Sequence, residues 1–148
     1  MWPVITLGRQ PDGGRACSGS GLVAASPVGP AEPVGRLVDV TTSVQGFQPS
    51  PHLLDYAMTK SAIIPFTHGL AQMVAERGIR VNAVAPDPVW TPLIPSTMPD
   101  TSEFGAQSPL GRPAQPAEMA PAYVFLAFAQ ASYITGEIVN ATGGTPLP

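Results

Sequence analysis

Asp55-Tyr56-Ala57-Met58-Thr59-Lys60, with the apolar run that follows it to Gly78, is the stretch that decides how this chain is read. Lys60 is the only lysine in the protein, the other six basic residues being arginine, and it stands four residues after Tyr56. Residues four apart on a helix share a face, so a phenol and an ammonium would lie side by side there. A cation next to a phenol favours the ionised form, which suits the phenol to proton exchange. Asp55 is placed to be the N-cap of this helix. The plain alternative is a surface Tyr-Lys contact without chemistry.

Outward from this helix the order of elements becomes informative. Upstream, Leu37-Val38-Asp39-Val40-Thr41-Thr42 is a β-branched run that reads as a buried strand, and it delivers Ser43, 13 residues before Tyr56. Downstream, Gly78 has the position of a C-terminal helix stop, and Ile79 to Pro86 reads as a second strand. That strand ends in Pro86-Asp87-Pro88-Val89-Trp90-Thr91. The expected succession is strand 36–42, helix 55–77, strand 79–85, loop 86–116, helix 117–129 and a short strand 136–141. Strands separated by helices of this length imply parallel pairing with right-handed crossovers. Pro65, inside the first helix, is expected to kink it.

In this order, strand, Ser43, Tyr56 with Lys60, strand, then Pro-x-x-x-x-Thr, residues 36–148 resemble the C-terminal half of a short-chain dehydrogenase/reductase. The aldehyde reductase and glucose/ribitol dehydrogenase-like branch is the nearest in pattern, through Thr41-Thr42-Ser43-Val44-Gln45, Pro88-Val89-Trp90-Thr91-Pro92-Leu93 and the closing Thr142-Gly143-Gly144-Thr145-Pro146-Leu147-Pro148. The resemblance implies an α/β fold, a partial Rossmann-like doubly wound parallel sheet lacking its N-terminal cofactor-binding half. It implies hydride transfer between NADP or NAD and a small carbonyl or alcohol substrate. By the same resemblance Tyr56 moves the proton at the substrate oxygen, Lys60 assists it and holds the nicotinamide ribose, and Ser43 hydrogen-bonds that oxygen. Pro86, Val89 and Thr91 would contact the nicotinamide end, and Tyr56 and Lys60 would share in holding it. Asp87 departs from the pattern, which has glycine there, and puts a side chain and a negative charge close to the cofactor.

Residues 1–35 hold seven glycines and five prolines and show no sustained period. They read as a poorly ordered leader. Their glycine run, Gly14 to Gly19 to Gly21, is one residue too long for the family's phosphate-binding loop, and only 21 residues separate it from Ser43, too few for the βα units that would have to intervene. The chain by itself is therefore expected to bind NADP or NAD weakly and to be inactive. The alternative function is a non-catalytic fragment that associates with a full-length relative.

Other classes find little support. A net charge of −3 and scattered arginines give no footprint for nucleic acid. A single cysteine, Cys17, and two histidines without ligand spacing, His52 and His68, offer no metal site. No apolar run approaches the ~20 residues of a membrane span, and the chain reads as a cytoplasmic protein. The helices over 55–77 and 117–129 are apolar nearly all round, which predicts burial on several sides and a homo-oligomer or a pairing with a relative.

Overall fold

The computed structural model describes residues 22–23 and 36–148. The glycine run and Cys17 lie outside the described residues, as does nearly all of the 1–35 leader. Four strands form one sheet in the order β1-β2-β3-β4: β1 is Leu22–Val23, β2 Leu37–Thr41, β3 Arg80–Pro86 and β4 Ile138–Ala141. β2, β3 and β4 run parallel, in a register that sets Val38 against Val81 and Val84 against Val139. β1 pairs antiparallel with β2, Leu22 opposite Val40. The helices are α1, Leu54–Val74, α2, Leu93–Thr97, and α3, Pro116–Ala127.

α1 buries Ile63, Thr67, Ala71 and Val74, spaced so that they form one stripe along the helix. The stripe packs on Val38 and Val40 of β2 and on Val81 and Ala83 of β3. Because side chains alternate across a strand, Asp39 and Thr41 face the opposite side, where α3 lies. Tyr123 of α3 reaches Thr41 there, hydroxyl to hydroxyl at 2.6 Å, and Leu126 is completely buried. The sheet is thus covered on both faces, by α1 on one and α3 on the other.

Gly78 ends the first helical segment in the left-handed conformation, φ 64°, after a short 3-10 turn over Ala75–Arg77. α1 runs unbroken from Leu54 to Val74 through Pro65. Two expectations need correction. Asp55 is not the N-cap: Leu53 holds that position, and Asp55 sits inside the first turn, its carboxylate accepting from its neighbour's backbone N–H (Tyr56 N, 2.8 Å). A negative charge there still suits the helix dipole. The 86–116 segment is not all loop, since it contains α2. In the single chain Leu54, Met58 and Met73 of α1, and Val124 and Phe125 of α3, are exposed, because the sheet covers only one side of each helix.

Candidate active site

At the C-terminal end of β2 the chain turns sharply. Ser43 caps a 3-10 turn over Val44–Gly46, its Oγ accepting from the Gln45 N–H at 3.2 Å. This turn lies directly on α1. A Cβ on Gly46 would come within 3.1 Å of Thr42 Oγ1 and 3.2 Å of the Lys60 backbone, so glycine permits the approach. Two hydrogen bonds lock it: Thr42 Oγ1 donates to the Lys60 carbonyl at 2.7 Å, and Ser61 Oγ to the Gly46 carbonyl at 2.9 Å. The serine and the Tyr56-Lys60 helix are therefore held as one unit.

The Lys60 ammonium donates to the Thr41 carbonyl at 2.9 Å and stands 5.6 Å from the centroid of the Tyr56 ring. Burial lowers the lysine pKa from its ordinary value, since leaving water penalises the charged form. Tyr56 is 41% exposed, open to a ligand, whereas Ser43 is 8% exposed. Because Ser43 Oγ accepts from Gln45, its own hydrogen remains free to donate.

Ser43, Tyr56, Lys60, Pro86 and Val89 all line one cleft of about 340 Å³. Thr91 does not line it; its carbonyl accepts from Ile94 N at 3.0 Å and begins α2. Val89 is held at the wall because its neighbours are stitched to Ala114: Trp90 N donates to the Ala114 carbonyl at 2.8 Å, and Ala114 N to the Pro88 carbonyl at 2.9 Å. Asp87 also lines the cleft, but its carboxylate is engaged, accepting from Thr145 Oγ1 at 2.7 Å. The next residue, Pro146, accepts from Gln48 Nε2 at 2.9 Å. The C-terminal segment thereby straps the end of β3 to the loop that follows Ser43.

Sequence reasoning missed the Thr41 carbonyl, the Asp87–Thr145 strap and the apolar wall made by Leu53, Ile94 and Phe104. A backbone acceptor leaves no mark on residue type. Phe104 lies in a segment without period, where only the turn residues around it carry signal. Among the described residues no cluster of His, Cys, Asp or Glu could hold a metal ion, and no helix is long and apolar enough to cross a membrane.

Comparison with known proteins accords with this geometry. The enoyl-(acyl carrier protein) reductase family model matches residues 20–145. The chain is 51% identical over 121 residues to the oxidoreductase YghA of Escherichia coli, covering 80% of this chain and 41% of that one. It is 50% identical over 113 residues to NADPH-dependent aldehyde reductase 1 of Arabidopsis thaliana, covering 74% and 39%. It thus spans about two fifths of the length of these relatives. Among solved structures, a 3-ketoacyl-(acyl-carrier-protein) reductase from Brucella melitensis complexed with NADH superposes with a TM-score of 0.68 at 34% identity, covering 74% of this chain and 44% of that one. A family match over most of the chain, joined to the parallel sheet and the Ser43–Tyr56–Lys60 cleft, shows that the chain belongs to the short-chain dehydrogenase/reductase family.

Proposed function

We propose that residues 36–148 form the catalytic part of an NAD(P)-dependent oxidoreductase that interconverts a small carbonyl compound and its alcohol. The observation that carries this reading is the meeting of Tyr56, Lys60 and Ser43 in one cleft, with the ammonium 5.6 Å from the phenol ring. Lys60 and Tyr56 offer polar partners for ribose hydroxyls, and Pro86, Pro88 and Val89 an apolar shelf for a planar ring, so the residues present fit the nicotinamide end of the cofactor. A pyrophosphate needs helix N-terminal N–H groups or cations, and among the described residues the charged ones lining the cleft are Lys60 and Asp87. The cofactor, when bound, supplies or takes the hydride.

The chain's own groups handle the oxygen. In the reducing direction Tyr56 Oη gives its proton to the substrate oxygen, and the Lys60 ammonium stabilises the phenolate left behind. Ser43 donates its free hydroxyl hydrogen to the same oxygen and steadies the charge developing there. In the oxidising direction each transfer reverses. Thr91, two residues after Val89, is assigned to the carboxamide side. The site of action is proposed to be the cytoplasm, and the cofactor NADP or NAD.

Joining the nucleotide-binding half of a relative such as YghA to residues 36–148 tests this. The fusion should oxidise NADPH or NADH in the presence of simple carbonyl compounds, and complete inertness toward both cofactors would overturn the reading. The exposed Leu54, Met58, Met73, Val124 and Phe125 favour a second role, as a subunit that associates with another copy or with a full-length relative. Size-exclusion chromatography of the chain reads that directly, and a sharp monomer would reject it.

A further inference from the structure

Resting on the reading of Ser43, Tyr56 and Lys60 as the reacting end of the cleft, we infer that the substrate is a neutral carbonyl compound with an apolar tail, not a sugar or polyol, and that Phe104, Ile94 and Leu53 set this preference. The cleft is lined by two unlike sets of groups. One is the hydroxyl, phenol and ammonium of Ser43, Tyr56 and Lys60. The other is the apolar set Val44, Leu53, Ile94 and Phe104.

A polyol carried into this space would lose water from hydroxyls that the wall cannot satisfy, and unsatisfied polar groups are disfavoured on burial. Of the other polar side chains lining the cleft, Thr41 Oγ1 bonds Tyr123 Oη, Thr42 Oγ1 donates to the Lys60 carbonyl, Gln45 Oε1 accepts from Ser50 N at 2.7 Å and Asp87 Oδ2 from Thr145 Oγ1 at 2.7 Å. That leaves Gln45 Nε2 and Asp87 Oδ1 as the polar side-chain atoms of this set that a polyol could still reach. The Asp87 charge also opposes an anionic tail. An apolar tail meets none of these penalties and gains from leaving water.

The wall is built rather than loose. Phe104 packs edge-on against Trp90, ring centroids 6.0 Å apart. The next residue, Gly105, has φ 82°, and a Cβ there would lie 2.4 Å from Pro113 N, so only glycine lets this turn close. Ile94 is set on α2, whose helical bond from Met98 N reaches its carbonyl at 3.0 Å. Phe104 and Ile94 thus line the cleft from fixed elements.

The full 148-residue chain carries two tryptophans, Trp2 and Trp90, so in a Trp2→Phe background the emission reports on Trp90 beside Phe104. Titration with 2-heptanone should give a saturable change, and ribitol over the same concentrations should give none. Phe104→Ala should weaken 2-heptanone about tenfold or more, as expected for loss of several apolar atoms from a pocket. Phe104→Leu, which keeps the wall apolar and covers the case in which the alanine variant does not fold, should lose less. Saturation by ribitol at equal or lower concentration, no saturable response to 2-heptanone, or equal affinity in parent and both Phe104 variants would overturn the inference. The catalytic reading fails differently: a YghA fusion inert toward every substrate would sink hydride transfer while leaving this binding preference in place.

Discussion

On one face of the sheet α1 presses Ile63, Ala71 and Val74 onto Val38, Val40, Val81 and Ala83, a layer that is apolar except for Thr67, whose hydroxyl donates back to the Ile63 carbonyl at 2.8 Å. On the other face α3 covers Asp39, Thr41, Arg80 and Asn82. Asn82 is satisfied there, donating to the Ile134 carbonyl and accepting from Glu137 N. Asp39 is not: it is 0% exposed, and neither carboxylate oxygen has a hydrogen-bond partner among the described residues. Arg80, whose charge pulls the Asp39 pKa down, donates to the Leu126 and Ile134 carbonyls. The dry face therefore fixes α1 against the strands, and the polar face carries a group whose cost depends on pH.

The largest change should come from opening the dry face. Ile63→Ala removes a buried branched side chain and leaves a cavity, which costs about 2–5 kcal/mol. Thermal or urea unfolding should show this loss at every pH. A change under 1 kcal/mol would mean that the stripe is not the core.

Asp39→Asn probes the other face. Burial pushes the Asp39 pKa from 3.8 up to about 7, against the lowering pull of Arg80. The folded value lies above the unfolded one, so the fold favours the neutral acid. That contribution is fully present below about pH 4 and is lost as pH rises to about 7, where the buried group ionises. Across this window the parent should lose up to roughly 4 kcal/mol relative to Asp39→Asn. Parallel pH profiles for the two proteins would show that Asp39 does not titrate in this range.

Smaller again is Tyr123→Phe, which removes the Thr41–Tyr123 hydrogen bond and should cost about 1 kcal/mol. Its interest lies in Thr41, whose carbonyl holds Lys60. Unfolding of the two proteins side by side measures the cost, and a loss as large as that of Ile63→Ala would place Tyr123 among the core residues.

The two faces were unequally legible. β2, α1 and β3 could be drawn from residues alone, because β-branched runs and the Gly78 stop are local signals, and observed boundaries fall within a few residues of those expected. Asp39 sat in plain view in Leu-Val-Asp-Val, but whether a carboxylate in a buried strand finds a partner is decided by residues about 40 and 80 positions away. α2 escaped notice because Leu93-Ile94-Pro95-Ser96-Thr97 has turn composition and is too short for a period. Similarly, Tyr56 and Lys60 could be paired by their spacing of four, whereas the strap from Asp87 to Thr145 spans 58 positions and has no local mark.

The central claim, that Tyr56 moves the proton while Lys60 serves both proton and cofactor, is tested most directly in the YghA fusion by measuring turnover and cofactor affinity separately for Tyr56→Phe and Lys60→Ala. Removing a phenol hydroxyl takes away the proton and little contact, so Tyr56→Phe should lose turnover by about 10²-fold or more and keep its NADPH or NADH dissociation constant nearly unchanged. Lys60→Ala should lose both. Full turnover in Tyr56→Phe, or an equal loss of cofactor affinity in the two variants, would contradict the account.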